Sequence, residues 1–170
     1  MSTSWISLTD FTRYIRCKKL FFLQTNMAKS GNTGTETNNS LHESHVFQQA
    51  RFLFPDGITV SREAKLEDRL SRTKMFCSEW MQNFNGNIFS AWFTHAGIAL
   101  YIDILKYDAG WHAYSIQNRG AFASLQNMEL ALQAYILYKN NIELSSFTIL
   151  YVDKLNLRVF LLENISTAHI

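Results

Sequence analysis

The chain has 170 residues, of which 47% are apolar and 18% are charged, and its formal charge at pH 7 is +2. This length and composition fit one globular domain with a sizeable core and exclude wholesale disorder. One proline and seven glycines exclude collagen-like and proline-rich sequence, and the small net charge gives little reason to expect a dedicated DNA-binding domain.

The cysteine content and the first residues indicate the cellular compartment. Cys17 and Cys77 are too few for a disulfide framework or an iron–sulfur cluster, and they are typical of a reducing cytoplasm, with Cys17 expected as a small core residue. The N-terminus lacks a basic segment followed by an apolar run, and no apolar run reaches the roughly 20 residues that span a bilayer. We therefore expect a cytoplasmic protein without a membrane partner.

The first half of the chain predicts helices separated by a polar segment. Ser7 and Asp10 have the spacing of a capping box, which marks a helix start. Glycine and small polar residues without an apolar period indicate a flexible loop. In chain order, the predicted elements are a helix over 8–19, a polar flexible loop over about 24–40, a helix over 41–54, a short β-rich run over 58–60 and a helix over 63–84.

The second half changes from helical period to the period of two that is typical of strands. Gly97 and Gly110 lie in short turn segments between apolar runs, as in hairpins. The predicted elements are strands over 87–94, 98–107 and 111–118, a helix over 128–139, a strand over 147–153 and a further candidate strand over 157–162. This order predicts an α/β protein with a mixed β-sheet flanked by helices, in a single domain over 1–170.

Asp103 interrupts an apolar strand. Because side chains alternate along a strand, Asp103 is expected on the face opposite Ile102 and Ile104. A buried carboxylate is costly unless it is paired or binds a metal, whereas an aspartate near a sheet edge can reach water. Both interpretations are open at this point.

The run YIDILKYDAGWHAYSIQNRG, followed by LALQAYILYKNN, resembles the RecB-like branch of the PD-(D/E)XK nuclease superfamily. In that branch a strand with a central Asp precedes a strand with Glu-x-Lys and a helix with a Gln-x-x-x-Tyr-like motif. The segments SLTDFTRYIRCKKLFFL and HESHVFQQARFLFPDG are similar to the first two helices of one bacterial subgroup. The resemblance runs from Leu8 to Arg158 outside the polar loop, and it implies a restriction-endonuclease-like fold with an αβββαβ core.

The resemblance also implies where a nuclease site would lie and how it has degenerated. Such sites use Mg²⁺, held by carboxylates, to polarise the phosphate, and a lysine to stabilise the developing charge. Ser115 stands where the family has Glu, and Gln117 stands where it has Lys, two residues apart and so on one face. A hydroxyl is a poor Mg²⁺ ligand and an amide is not a cation. The positions of this degenerate site are His45, Asp103, Ser115, Gln117, Glu129, Gln133 and Tyr135.

We therefore expect a non-hydrolytic binding module for nucleic acid or a protein partner, without a cofactor. A nuclease-shaped groove can keep its ligand after losing its chemistry, and basic side chains near the N-terminus are available for phosphate contacts. The expected nucleic-acid-binding residues are Arg13, Arg16, Lys18 and Lys19.

The alternative is an active Mg²⁺- or Mn²⁺-dependent DNA nuclease. In it, Glu129 would act as a displaced carboxylate together with Asp103 and His45, which stands at the position of a histidine near the family's metal. Glu129 is also explained as a solvated acid that complements the helix dipole, and His45 as a structural histidine. The oligomeric state is not predicted.

Overall fold

The computed structural model describes residues 5–17, 53–61, 64–83, 86–118, 123–153 and 158–165. The polar segment at 24–40, most of the predicted helix over 41–54, and the residues Lys18, Lys19 and His45 lie outside these ranges. The described elements are β1 Ile6–Ser7, α1 Leu8–Arg16, β2 Gly57–Thr59, α2 Leu66–Asn83, β3 Gly86–His95, β4 Ile98–Tyr107, β5 Trp111–Asn118, α3 Ala123–Lys139, β6 Leu144–Asp153 and β7 Arg158–Ile165.

The described strands form one mixed sheet in the order β2-β3-β4-β5-β6-β7, with β1 paired to β4. The pairs β3/β4, β4/β5 and β6/β7 are antiparallel, whereas β1/β4, β2/β3 and β5/β6 are parallel. The parallel pair β5/β6 needs a long crossover, which α3 provides. The predicted α/β class and mixed sheet are confirmed. No helix in the described ranges is both long and apolar enough to cross a bilayer.

The N-terminal helix begins where the capping pattern predicts and ends earlier than predicted. The hydroxyl of Ser7 accepts from the backbone N–H of Asp10 at 3.1 Å and donates to the Asp10 carboxylate at 2.7 Å. Helix α1 ends at Arg16, and Cys17 follows in an extended conformation with its N–H donated to the carbonyl of Arg13. Cys17 is exposed, so the expectation that it lies in the core is wrong.

The two hairpins follow local turn chemistry. Strands β4 and β5 have the predicted bounds, and the β3–β4 turn places Ala96 at φ 49° and Gly97 at φ 79°. Two successive positive φ angles match the right-handed twist of the paired strands, which is why glycine is favoured there. Elsewhere the predicted bounds shift by a few residues: α2 begins at Leu66, α3 begins earlier at Ala123, and β6 begins earlier at Leu144.

The buried side chains form two clusters. The larger joins α2 and α3 to the sheet and includes Leu137, Ile102 and Phe147. The smaller is built around Phe54 and Phe89, together with Ile104 and Leu150. Burial of this apolar surface is the main favourable term in folding.

The strict alternation predicted for β4 fails at Asp103. Ile102 belongs to the larger cluster and Ile104 to the smaller, so these two side chains do not share a face, and the expectation that they do is wrong. The β3/β4 register leaves out Ser90 and Asp103, which lie between the pairs Phe89/Ile104 and Ala91/Ile102, and Ser90 has a φ of 55°. A residue in the left-handed region locally breaks the pleat, and the alternation of side chains slips at these two residues.

Candidate functional site

The candidate site is the point where β4 and β5 separate. Their register pairs run only from Tyr107 with Trp111 to Ile104 with Tyr114. Beyond that point β5 continues beside β6, while β4 stays beside β3 and gains β1 as a neighbour. Backbone groups on the separating segments therefore lose their ladder partners and need others, because buried unpaired N–H and C=O groups are costly. We call this point the β4–β5 junction.

Asp103 lies one residue beyond the last register pair of the junction. Its side chain is half-buried, and Oδ2 accepts a hydrogen bond from the backbone N–H of Ile116 at 2.8 Å. This bond gives the N–H of β5 an acceptor at a place where the two strands are no longer paired. Asp103 has further interactions as well. The open question from the sequence is thus answered in part: this carboxylate is paired, and its partner is the neighbouring backbone.

Ser115 faces Asp103 if the register is continued by one step past Ile104 and Tyr114. Ser115 is 6% exposed and follows Trp111 and Ala113 in the alternation of β5, both of which belong to the larger core cluster. A carboxylate at this buried position would need a compensating charge. The hydroxyl that occupies it is small and neutral.

Gln117 is the second of the two β5 positions predicted for the degenerate site. Its backbone lies in β5 and pairs with Tyr151 of β6. Its side chain is outside what the structure describes, so the direction of the amide stays a prediction.

Gln133 approaches the junction from α3. Its side chain is 5% exposed, and Nε2 donates to the carbonyl of Tyr101 at 3.4 Å, a long and therefore weak bond. Tyr101 lies in the part of β4 that is no longer paired with β5, so Gln133 provides a donor for a second backbone group at the β4–β5 junction. Its Oε1 is buried and has no partner among the described residues. Glu129, one turn earlier on α3, is partly buried and already takes part in an interaction.

Tyr135 is not brought together with Gln133. It is 45% exposed, and its ring makes an edge contact with His95 at a centroid distance of 5.7 Å. The ammonium of Lys139 lies 5.4 Å from the same ring. Residues two apart on a helix point to different sides, which separates Tyr135 from the junction.

The donors at the junction fit Mg²⁺ poorly. Asp103 Oδ2 accepts from the N–H of Ile116, and the next position along the neighbouring strand holds the hydroxyl of Ser115 and not a second carboxylate. Among the described residues, no three His, Cys, Asp or Glu side chains are close enough to hold a metal ion. His45, the third ligand of the alternative, lies outside the described ranges.

The predicted basic residues are only partly described. Arg13 is exposed, and its guanidinium lies 3.5 Å from the carboxylate of Asp10, which offsets part of its charge. Arg16 belongs to α1, but the structure does not describe its side chain. Lys18 and Lys19 lie outside the described ranges. Their role as a nucleic-acid interface therefore stays a prediction.

A hydrogen-bonded group at the β4–β5 hairpin was not predicted. His112 Nδ1 lies 2.7 Å from Ser146 Oγ, and His112 Nε2 lies 3.1 Å from the carbonyl oxygen of Asp108. The ammonium of Lys106 donates to the Asp108 carboxylate at 2.8 Å, and it lowers the pKa of that carboxyl. These bonds tie the hairpin to β6. Strand pairing brings His112 and Ser146 together, and nothing in their sequence separation signals it.

Sequence reasoning also missed a groove between α2, β3 and the end of α3. Its volume is about 380 Å³, and its lining includes Lys74, Trp92 and Lys139. The guanidinium of Arg69 covers the Trp92 ring at 4.6 Å. The run of two tyrosines, a lysine and two asparagines at 135–141 is the only local signal that could have drawn attention to this end of α3. We call the groove between α2, β3 and the end of α3 the α2–α3 groove.

Comparison with known proteins gives no family. No family model matches the chain, and no curated protein matches it. A solved structure described as "Crystal structure of SSO0001" is similar over 99% of this chain and 72% of its own, at 11% sequence identity and a TM-score of 0.34. A likeness this low bears on neither fold nor function.

Proposed function

We propose that this chain is a catalytically degenerate nuclease-like domain that binds nucleic acid or a protein partner without hydrolysing it. One observation carries the proposal: the carboxylate of Asp103 accepts from the N–H of Ile116 at 2.8 Å. The resembled family uses an aspartate at this strand position for its metal. In this chain the same carboxylate has a structural role at the β4–β5 junction.

The element order supports a restriction-endonuclease-like fold for this proposal. Helix α2, strands β3, β4 and β5, helix α3 and strand β6 follow one another in the αβββαβ order that the resemblance implies. A cytoplasmic location belongs to the same proposal. It rests on the two free cysteines, Cys17 and Cys77, which are typical of a reducing compartment.

The chemistry of the junction supports a loss of hydrolysis. Removing one group that stabilises developing charge typically slows an enzyme by about 10²–10³. Ser115 stands where the resembled family has an acid that holds the metal, and Gln117 stands where it has a cation, so a metal ligand and a charge-stabilising group are both missing relative to that family. Binding needs neither group, because phosphate contacts depend on basic side chains and on backbone donors.

The test is an assay of binding and cleavage on the same samples. Labelled single-stranded and duplex DNA are incubated with the purified chain in Mg²⁺, in Mn²⁺ and in a chelator. We expect complexes that weaken steeply with added salt and no product that depends on a divalent ion. Asp103→Asn is the matched variant, because it removes the charge of a metal ligand and keeps an acceptor for Ile116.

Divalent-dependent cleavage that Asp103→Asn abolishes would refute the proposal. It would favour the alternative nuclease with Asp103, Glu129 and His45, and Glu129→Gln and His45→Ala would then also abolish cleavage. If no DNA binding occurs at low salt, the protein partner is the remaining form of the proposal.

A further inference from the structure

The walls of the α2–α3 groove are held by hydrogen bonds between elements. The hydroxyl of Thr73 on α2 accepts from the backbone N–H of Trp92 on β3 at 3.0 Å. The amide of Asn140 donates to the carbonyl of Thr94 at 3.2 Å and to that of Ile136 at 2.8 Å. Thr73 is 1% exposed. The groove of about 380 Å³ is therefore built from fixed elements, and its size is within the range of ligand pockets.

The charged side chains that line the groove are all positive. Lys74 and Lys139 line it from two different helices, and none of its lining residues is acidic. Neither lysine forms an ion pair with a described residue. The indole N–H of Trp92, which also lines the groove, is buried without an acceptor among the described residues. Burial raises the pKa of the Cys77 thiol to about 12, so this lining group stays uncharged at neutral pH. The two lysines suit an anion.

Two tyrosine rings lie beside the ammonium of Lys139, next to the groove but outside its lining. Tyr138 is 62% exposed and Tyr135 is 45% exposed, both on α3. The ammonium of Lys139 lies 5.5 Å from the Tyr138 ring and 5.4 Å from the Tyr135 ring. Exposed rings next to cations at a groove are how proteins bind unpaired bases, because the rings stack on bases and the cations contact phosphates. A duplex keeps its bases stacked inside and cannot use the rings in this way.

We infer that the α2–α3 groove binds single-stranded nucleic acid, with phosphates against Lys74 and Lys139 and a base stacked on Tyr138. The inference rests on the proposed function only in that the domain binds nucleic acid. It deepens that function by naming single-stranded nucleic acid as the ligand and the α2–α3 groove as the binding surface. The surface differs from the predicted basic segment of Arg13 and Arg16, which lies on α1.

The test measures fluorescence anisotropy of a labelled thymidine oligonucleotide of about 12 nucleotides, and of the matching duplex, over a range of salt concentrations. We expect tighter binding of the single strand. Tyr138→Ala should weaken it by about fivefold or more, and Tyr138→Phe should not, because the ring is what stacks. The double variant Lys74→Ala and Lys139→Ala should reduce the slope of log affinity against log salt by about 1.4, since each single-strand phosphate contact contributes about 0.7.

The control is Lys65→Ala, which removes the same charge from an exposed position outside the groove lining. A single-strand affinity unchanged by the Tyr138 and lysine variants, but reduced by Arg13→Ala with Arg16→Ala, overturns the groove and leaves the proposed function intact. Absence of any binding, or binding of the duplex as tight as that of the single strand, also overturns the groove. Divalent-dependent cleavage with groove-dependent binding overturns only the claim that the domain is non-hydrolytic.

Discussion

The Oδ2 atom of Asp103 and the backbone nitrogen of Ile116 are 2.8 Å apart, one residue beyond the last register pair of β4 and β5. The side chain of one strand thus continues a hydrogen-bond ladder that the backbone has ended. This structural use of the Asp103 carboxylate is the observation on which the proposed function rests.

This bond predicts a graded effect of two substitutions on stability. Asp103→Ala removes the acceptor and leaves the partly buried N–H of Ile116 unpaired, which should lower the free energy of unfolding by about 1–3 kcal/mol. Asp103→Asn keeps a carbonyl oxygen in the same place and should cost less. Urea denaturation of both variants measures the difference. Equal losses in the two variants would mean that the bond to Ile116 is not what stabilises the junction.

Cys77 predicts a pH dependence of stability in the alkaline range. Burial raises the pKa of its thiol from 9.0 to about 12, so above pH 9 the unfolded chain releases a proton that the folded chain retains. The stabilisation is therefore complete below pH 9 and is lost as the pH rises toward 12. Between about pH 8 and pH 10 the free energy of unfolding should fall by about 1.4 kcal/mol from this group.

Denaturation at several pH values checks the role of Cys77. Cys77→Ala should lower stability overall through lost packing and should flatten the pH dependence in this window. Cys17→Ala is the matched control, because Cys17 is exposed, and the slope should persist in it. Tyr114, whose pKa is also raised by burial, adds a loss of the same sign only above its ordinary pKa of 10.0. A wild-type stability that stays flat up to pH 10 contradicts the prediction.

The ion pair between Lys106 and Asp108 leads us to predict a change in the pKa of Asp108 when the lysine is removed. The hydrogen bond and the charge of Lys106 lower the pKa of the Asp108 carboxyl from its ordinary 3.8. Lys106→Ala should move the Asp108 pKa upward, and a carboxyl-detected NMR titration would follow it. The stabilisation that the folded protein gains from the Lys106–Asp108 pair is therefore present above pH 3.8, and it is lost as the pH falls through the lowered pKa of Asp108. Lys65→Ala, distant in sequence, should leave the titration of Asp108 where it is.

Two glycines predict different costs of an added methyl group. At Gly57 a Cβ would collide with the ring of Phe89, which is 1% exposed and cannot move aside. Gly57→Ala should therefore destabilise the fold by about 1–3 kcal/mol. At Gly97 a Cβ would meet nothing within 4 Å, and the cost comes only from its φ of 79°, about 1 kcal/mol. Thermal unfolding of both variants should rank Gly57→Ala as the more damaging change.

Local chemistry determined the parts of the fold that the sequence predicted. The bounds of β4 and β5 follow from the alternating apolar pattern and from turn residues such as Gly97, and the start of α1 follows from Ser7 and Asp10. These signals act between residues a few positions apart. For that reason the α/β class, the element order and the hairpins were predictable without any knowledge of distant contacts.

Tertiary contacts alone decided the candidate site. Two features define the site: the slip of alternation at Ser90 and Asp103, and the end of the β4/β5 ladder. Both depend on the register in which neighbouring strands pair, and contacts between separate strands set that register. The sequence placed Gln133 and Tyr135 in one site, but the packing of α3 buries one and exposes the other. The α2–α3 groove brings Lys74 and Lys139 together from helices far apart in the chain, which no local pattern encodes.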